Sequence, residues 1–190
     1  MRIISGTLKG KSINFLKNKN TRPLKDSVKE SIFNILNHSN LIKTDIQNSN
    51  ILDLYSGVGS FGIESLSRNA KRVTFIEKDI NASNILKENL KKLSIFQKSK
   101  IFTDKIENVL SRLEEKFNIF FLDPPFKNLN FVQNLELIKK KELYEKNNVV
   151  VIHRERKTDE NLENLIKIYE IKYYGRSKVI FGEFNWVVSL

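Results

Sequence analysis

Between Ile51 and His153 short apolar runs alternate with amphipathic stretches, and this alternation restricts the fold more than any other feature of the chain. "ILDLY" (51–55), "VTFIE" (73–77), "KIFT" (100–103), "FNIFFLD" (117–123) and "NVVVIH" (148–153) have the length and continuity of strands buried on both faces. The stretches between them repeat apolar residues at helical spacing: 61–68, then Ala82, Ile85, Leu86, Leu90 and Leu93, then Ile106, Val109, Leu110 and Leu113, then Phe131, Leu135 and Ile138. Repeated β-α units of this kind predict an α/β fold, with a mostly parallel sheet covered by helices on both faces. After the fifth run, "IKIYEIKYYGRSKVIFGEF" reads as two strands turning at Gly175, which would add an antiparallel strand at the edge and bring the sheet to seven.

Ahead of this region the chain has another character. "RIISGTLKGKSINF" predicts a small hairpin turning between Gly6 and Gly10, and Ser27 and Glu30 have the spacing of a capping box for a helix carrying Val28, Ile32, Ile35 and Leu36. We therefore expect an N-terminal extension over 1–40, packed on a core domain over 41–190. Of the net charge of +11, the stretch from Met1 to Lys25 supplies +7: Arg2, Lys9, Lys11, Lys17, Lys19, Arg22 and Lys25, with no acid among them. A segregated basic arm on a nearly balanced domain calls for a polyanionic partner, nucleic acid in preference to a merely solvated surface. There is no apolar run of membrane-spanning length and no signal-peptide core at the start, so the expectation is a cytoplasmic protein without a membrane partner. Cysteine is absent, which excludes disulfides, thiolate zinc sites, iron–sulfur clusters and a cysteine nucleophile.

Ligands of such sheets bind beyond the carboxyl ends of the strands, so those ends are the residues to read. The first run leads into Asp53-Leu54-Tyr55-Ser56-Gly57-Val58-Gly59-Ser60-Phe61-Gly62, a glycine loop opening a helix. An acid four residues before the first glycine would repel a pyrophosphate and welcome a cationic ligand. The second run ends in Glu77, placed for the hydroxyls of a ribose, and the third reaches Asp104, placed for an adenine amino group or for capping the next helix. Three acids and a glycine loop suit S-adenosylmethionine, which has an amino-acid end, a ribose and an adenine but no phosphate. Tyr55, Lys78 and Lys105 beside these positions complete the expected cofactor set.

The fourth run ends in "DPPF", Asp123 to Phe126. Two prolines fix φ, lack N–H groups and make a stiff arm, which by itself could be no more than a turn ending a strand. Beside a methyl donor the arm gains a chemical reading. An exocyclic amine has its lone pair delocalised into the base, so acceptors must hold its N–H bonds. Asp123 and the carbonyl of Pro124 can supply them, and Phe126 can stack on the base. Transfer would be in-line and dominated by proximity, with no metal required.

"DPPF" is similar to the (D/N/S)PP(Y/F/W) motif of amino-methyltransferases that act on nucleic-acid bases. Along nearly its whole length the chain resembles the bacterial 16S rRNA guanine-N2 methyltransferase family of the RsmD type. The resemblance lies in "RIISGTLKGK", "RPLKDSVKESIFNIL", "DLYSGVGSFGIESLSRNA" and "FLDPPF". It implies a class I Rossmann-like methyltransferase with a basic N-terminal extension that helps hold small-subunit rRNA, free or in an assembling 30S subunit, and with a monomer as the default state. Cofactor contacts would fall on the Asp53 to Gly62 loop, Glu77 and Asp104, and target contacts on Asp123, Pro124, Pro125 and Phe126. The family has threonines where Leu24 and Lys25 stand and a basic residue at Ser27, departures that bear on the N-terminal contacts alone. Competing readings are an adenine-N6 methyltransferase, an RNA-binding module without catalysis and a dinucleotide-dependent oxidoreductase. His38 and His153 read as structural or RNA-facing, Arg154 and Arg156 as an extension of the basic face or a solvated strand end, and Trp186 as packing.

Overall fold

The computed structural model describes residues 1–16, 24–125 and 128–185. Helix α1 (Asp26–His38) precedes four β-α repeats and a fifth strand: β1 (Asn50–Leu54), α2 (Ser60–Ser67), β2 (Arg72–Ile76), α3 (Ile80–Lys92), β3 (Ser99–Phe102), α4 (Ile106–Arg112), β4 (Phe117–Leu122), α5 (Phe131–Lys140) and β5 (Tyr144–Glu155). The antiparallel pair β6 (Lys167–Tyr174) and β7 (Ser177–Glu183) closes the fold. The strands form one sheet in the order β3-β2-β1-β4-β5-β7-β6, parallel from β3 to β5. At the antiparallel edge, β7 is the reversed strand, hydrogen-bonded to β5 on one side and β6 on the other. This is the Rossmann-like doubly wound architecture.

Strand alternation divides the core into two layers. Ile51, Ile119, Phe121, Val149 and Val151 face the layer containing α1, α2 and α3. Leu52, Leu54, Phe120, Leu122, Val150 and Ile152 face α4 and α5. The described part of the first 40 residues belongs to the first layer, where Ile3, Leu8, Ile13, Val28, Ile32 and Phe33 join the sheet residues in one apolar cluster. Phe61 of α2 stacks at 4.0 Å on Phe121 and at 5.0 Å on Phe33, linking β4 to α1. Such pairs add about 0.5–1.5 kcal/mol beyond their area.

Two local expectations at the N-terminus meet different outcomes. The hairpin forms in short form, with Arg2 bridging Ser12, the Ile3 and Gly10 amides donating to the Lys11 and Ile3 carbonyls at 2.9 Å and the Ile13 amide to the Met1 carbonyl at 3.0 Å. Its ladder does not lengthen past Ile3. Ile4 and Ser5 donate instead to the two carboxylate oxygens of Glu64 in α2, at 2.8 and 2.9 Å. The capping box at Ser27 does not form. Lys25 is the N-cap, and Asp26 puts an acid in the first turn, where the helix dipole favours it. Glu64 sits at the junction with both side-chain neighbours buried or nearly so: Arg68 at 3.0 Å and the fully buried Lys29 at 3.6 Å. Burial pulls the Lys29 ammonium below its ordinary range, against the raising effect of Glu64 and Asp26.

Candidate active site

Strand order reverses between β1 and β4. The chain steps outward from β1 to β2 and β3, then returns to place β4 on the other side of β1. A crevice must open at that point, beyond the carboxyl ends of the two strands. There the structure has a cavity of about 650 Å³, whose lining includes Asp53, Tyr55, Gly57, Glu77, Lys78, Lys105, Asp123, Pro124 and Pro125. The glycine loop and the proline arm, 70 residues apart in sequence, thus meet because β1 and β4 pair in register, Asp53 beside Phe121 and Leu54 beside Leu122.

The loop is held from two sides. Asp53, 1% exposed, accepts from the Gly62 amide at 3.0 Å. Glu77 accepts from the Gly57 amide at 2.8 Å through one oxygen and from the Asp79 amide at 2.8 Å through the other. Each carboxylate oxygen has a second lone pair, so both acids retain acceptor capacity toward the cavity. Of the three predicted glycines only Gly57 lines the space. Its φ is +54°, and a Cβ there would meet nothing within 4 Å. Gly62 serves packing, because a Cβ would lie 2.2 Å from the Phe75 ring. Gly59 is the N-cap of α2 and is not among the lining residues. Tyr55 accepts a 2.8 Å bond from Asn134 of α5, and burial pushes its phenol up to about 12.

Asp104 does not line the cavity: its carboxylate accepts from the Lys105 amide at 2.7 Å, Asn108 at 2.9 Å and Arg112 at 2.5 Å. Bonds from Asn108 and the Lys105 amide, with the Arg112 charge, hold it below the usual carboxylate range. The side chain is committed to the start of α4 and to solvent. The neighbouring Lys105, Ile106 and Glu107 face the cavity instead.

Asp53 is the most perturbed acid of the site. Burial pushes its carboxyl well above the usual range, the Gly62 amide opposes this, and the charges of Asp123 and Glu77 add to it. Asp123 at the end of β4 is half-buried and lies 2.8 Å from Nδ1 of His153 on β5. A carboxylate only accepts, so Nδ1 carries the proton. Pro124 is buried and Pro125 exposed. Phe126 lies outside the described residues, as do Lys17, Lys19, Arg22 and Trp186.

Sequence reasoning missed several neighbours. Phe15, Leu16 and Leu24 of the N-terminal segment form part of the cavity wall, as do Asn128, Asn130 and Asn134 near α5. No spacing marks these asparagines in advance. Arg2, Lys9, Lys11 and Lys25 are exposed and do not line the cavity. Arg154, expected at the surface, is fully buried. It makes a 2.9 Å ion pair with Glu160 and donates to the Pro125 carbonyl at 3.2 Å.

Residues 1–183 match the family described as conserved hypothetical protein 95. The protein named ribosomal RNA small subunit methyltransferase D of Buchnera aphidicola is 32% identical over 155 residues, 82% of this chain and 78% of its own. Its namesake in Haemophilus influenzae is 37% identical over 129 residues, 66% of this chain and 64% of its own. The solved structure of yhhF from Escherichia coli superposes with a TM-score of 0.83, covering 97% of each chain at 24% identity.

Proposed function

Because the chain belongs to the conserved hypothetical protein 95 family, that of the RsmD-type rRNA methyltransferases, we propose that it methylates the exocyclic N2 amine of one guanine in small-subunit rRNA, with S-adenosylmethionine as donor. The observation that carries the reading is the convergence of Asp53, Glu77 and the Asp123-Pro124-Pro125 arm on one cavity at the switch between β1 and β4.

The residues present fit the cofactor. Open space beyond Gly57 admits a ligand against the loop backbone, and the acids at the ends of β1 and β2 suit a cationic amino-acid end and a ribose diol. When bound, it would supply an electrophilic methyl group on a sulfonium. The chain's own residues do the rest by positioning. Asp123 and the Pro124 carbonyl accept the two N–H bonds of the target amine, which turns its lone pair toward the donor, and Phe126 stacks on the base. The amine proton is lost after transfer, so no strong general base is required. Residues 1–40 act as the rRNA-holding extension, with Arg2, Lys9, Lys11, Lys17, Lys19, Arg22 and Lys25 on phosphates. Within the described residues no helix is long and apolar enough to cross a membrane, and a cytoplasmic monomer goes with this reading.

Mass spectrometry of rRNA from a deletion strain tests it. One N2-methylguanine should be lost and should return when the purified chain is incubated with that rRNA and S-adenosylmethionine. A methyl group returned to adenine N6 would replace guanine as the target.

The raised Asp53 carboxyl leads to a pH prediction. Next to a bound cation it should ionise more readily, so binding releases a proton. Between the ordinary carboxylate range and the raised value in the free protein, Asp53 is neutral when free and charged when bound. Cofactor affinity should therefore rise with pH across that window and level off above it. Calorimetry in two buffers of different ionisation heat should detect the proton, and Asp53→Asn should remove it. Identical heats in both buffers would move the cation away from Asp53.

The basic extension should appear in the salt dependence of rRNA binding. Replacing Lys17, Lys19 and Arg22 together should flatten the slope of log K against log salt by about 2–3, at roughly 0.7–0.9 per phosphate contact. Cofactor affinity should be unchanged. A slope equal to that of the wild type would return these residues to solvated surface.

A further inference from the structure

The last pairing of β4 with β5 is Leu122 beside Ile152, yet β5 continues to Glu155, supported on its far side by β7 as far as Ser177. His153, Arg154 and Glu155 therefore overhang the end of β4 and run beside Asp123, Pro124 and Pro125. Two prolines have no N–H to extend the ladder, so the arm cannot be held there by backbone pairing alone. Side chains of the overhang hold it instead. His153 Nδ1 donates to Asp123 Oδ1 at 2.8 Å, and Arg154 donates to the Pro125 carbonyl at 3.2 Å. Consecutive strand residues point to opposite faces, so the arm is gripped from both.

Both grips are themselves fixed. The Arg154 guanidinium is fully buried, 4.7 Å from the centre of the Phe131 ring, with its Nε 2.9 Å from Glu160 Oε1. The other Glu160 oxygen lies 2.8 Å from Nζ of Lys178 on β7, which also donates to the Thr158 carbonyl. A buried cation of this kind costs desolvation that an apolar side chain would avoid, so packing alone gives no reason for it. What it provides is an anchored donor at one end of the arm. The imidazole at the other end engages one Asp123 oxygen and sets the carboxylate plane, leaving the second oxygen for a ligand. With Asp123 and Pro125 held and both proline φ angles locked, the Pro124 carbonyl between them has little freedom.

We propose that His153 and Arg154 are positioning residues for the methyl transfer, acting through Asp123 and the Pro125 carbonyl. This rests on the function proposed above. The test is single-turnover methylation of small-subunit rRNA by the full chain, with rRNA and S-adenosylmethionine both saturating, beside the two dissociation constants. His153→Ala should slow transfer on the order of 10- to 100-fold, the scale for a misplaced reacting group. Both dissociation constants should stay within about two-fold, because His153 acts on orientation. His153→Asn should recover most of the rate, since its amide nitrogen can take the place of Nδ1. Arg154→Lys keeps the charge and loses the fork, and it should slow transfer about 10-fold.

A wild-type rate in His153→Ala, or equal slowness in the Ala and Asn variants, would overturn the proposal, as would a loss that merely follows weaker cofactor binding. The His153 side chain is 12% exposed, so its variants decide the matter even if Arg154→Lys does not fold. Failure of the wild-type chain to methylate rRNA at all would overturn the functional reading as well.

Discussion

Asp123→Ala should lower the single-turnover rate of methyl transfer by about two orders of magnitude or more, with cofactor affinity nearly unchanged. Methyl transfer to an exocyclic amine is limited by orientation, and losing a near-attack geometry costs rate on this scale. Asp123 is half-buried in the cavity wall, with one oxygen engaged by His153. Truncation removes the acceptor for the amine and leaves the imidazole N–H without its carboxylate. Asp123→Asn should fall between wild type and Ala, because its one carbonyl oxygen cannot serve His153 and the amine equally well. Rapid-quench measurement with radiolabelled donor gives the rates, and calorimetry gives the affinity. If Asp123→Ala abolished cofactor binding while the fold stayed intact, the carboxylate would belong to the cofactor pocket. An unaltered rate would reduce the arm to a stiff turn.

The second large effect is on stability. Glu64→Ala should destabilise the fold by about 3–5 kcal/mol, the scale for breaking a buried ion pair and leaving one charge behind. That is a large share of the roughly 5–15 kcal/mol that holds a domain together. Glu64 and Lys29 are both fully buried, and Glu64 also receives the Ile4 and Ser5 amides and Arg68. Its removal would orphan three donors and leave the buried ammonium with the Arg2 carbonyl at 3.0 Å and the half-exposed Asp26 at 3.9 Å among its remaining partners. Lys29→Met in the same chain should restore part of the loss, because the uncompensated charge goes with it. Urea unfolding of the single and double variants measures both terms. A loss below about 1 kcal/mol for Glu64→Ala would show that water replaces its partners.

Most of the fold could be read from local pattern. The five apolar runs became β1 to β5 because strand and helix differ in the period of their buried positions, and period is a property of neighbouring residues. The terminal pair turning at Gly175 was legible for the same reason. The N-terminus was legible only in part. Ser27 and Glu30 had capping-box spacing, yet the helix starts at Asp26 with Lys25 as its N-cap. "RIISG" had strand character and does pair through Arg2 and Ile3, but its next two amides go to Glu64, 60 and 59 residues away. Inside "SFGIESLS" that glutamate looks like any solvent-facing helix residue, and only the N-terminal segment laid over α2 makes it an anchor.

The site divides along the same line. By itself the sequence determined which chemical groups stand at strand ends: Asp53 with its glycine loop, Glu77, and the Asp123-Pro124-Pro125 arm. Backbone geometry puts the residue after a parallel strand at the ligand-binding rim whatever the rest of the chain does. Tertiary structure alone decided which of those groups share a cavity. Strand order brings β1 beside β4, so the loop and the arm meet, while Asp104 at the end of the outlying β3 turns to Arg112 and solvent. It also decided the fate of "HRE" after the fifth run, which as sequence is a charged strand end. In the fold β5 outruns β4 and is flanked by β7, so Arg154 is enclosed and His153 meets Asp123. Neither contact has a local signature, because a hydrogen bond between residues 30 apart depends on which strands are neighbours and how far each one runs.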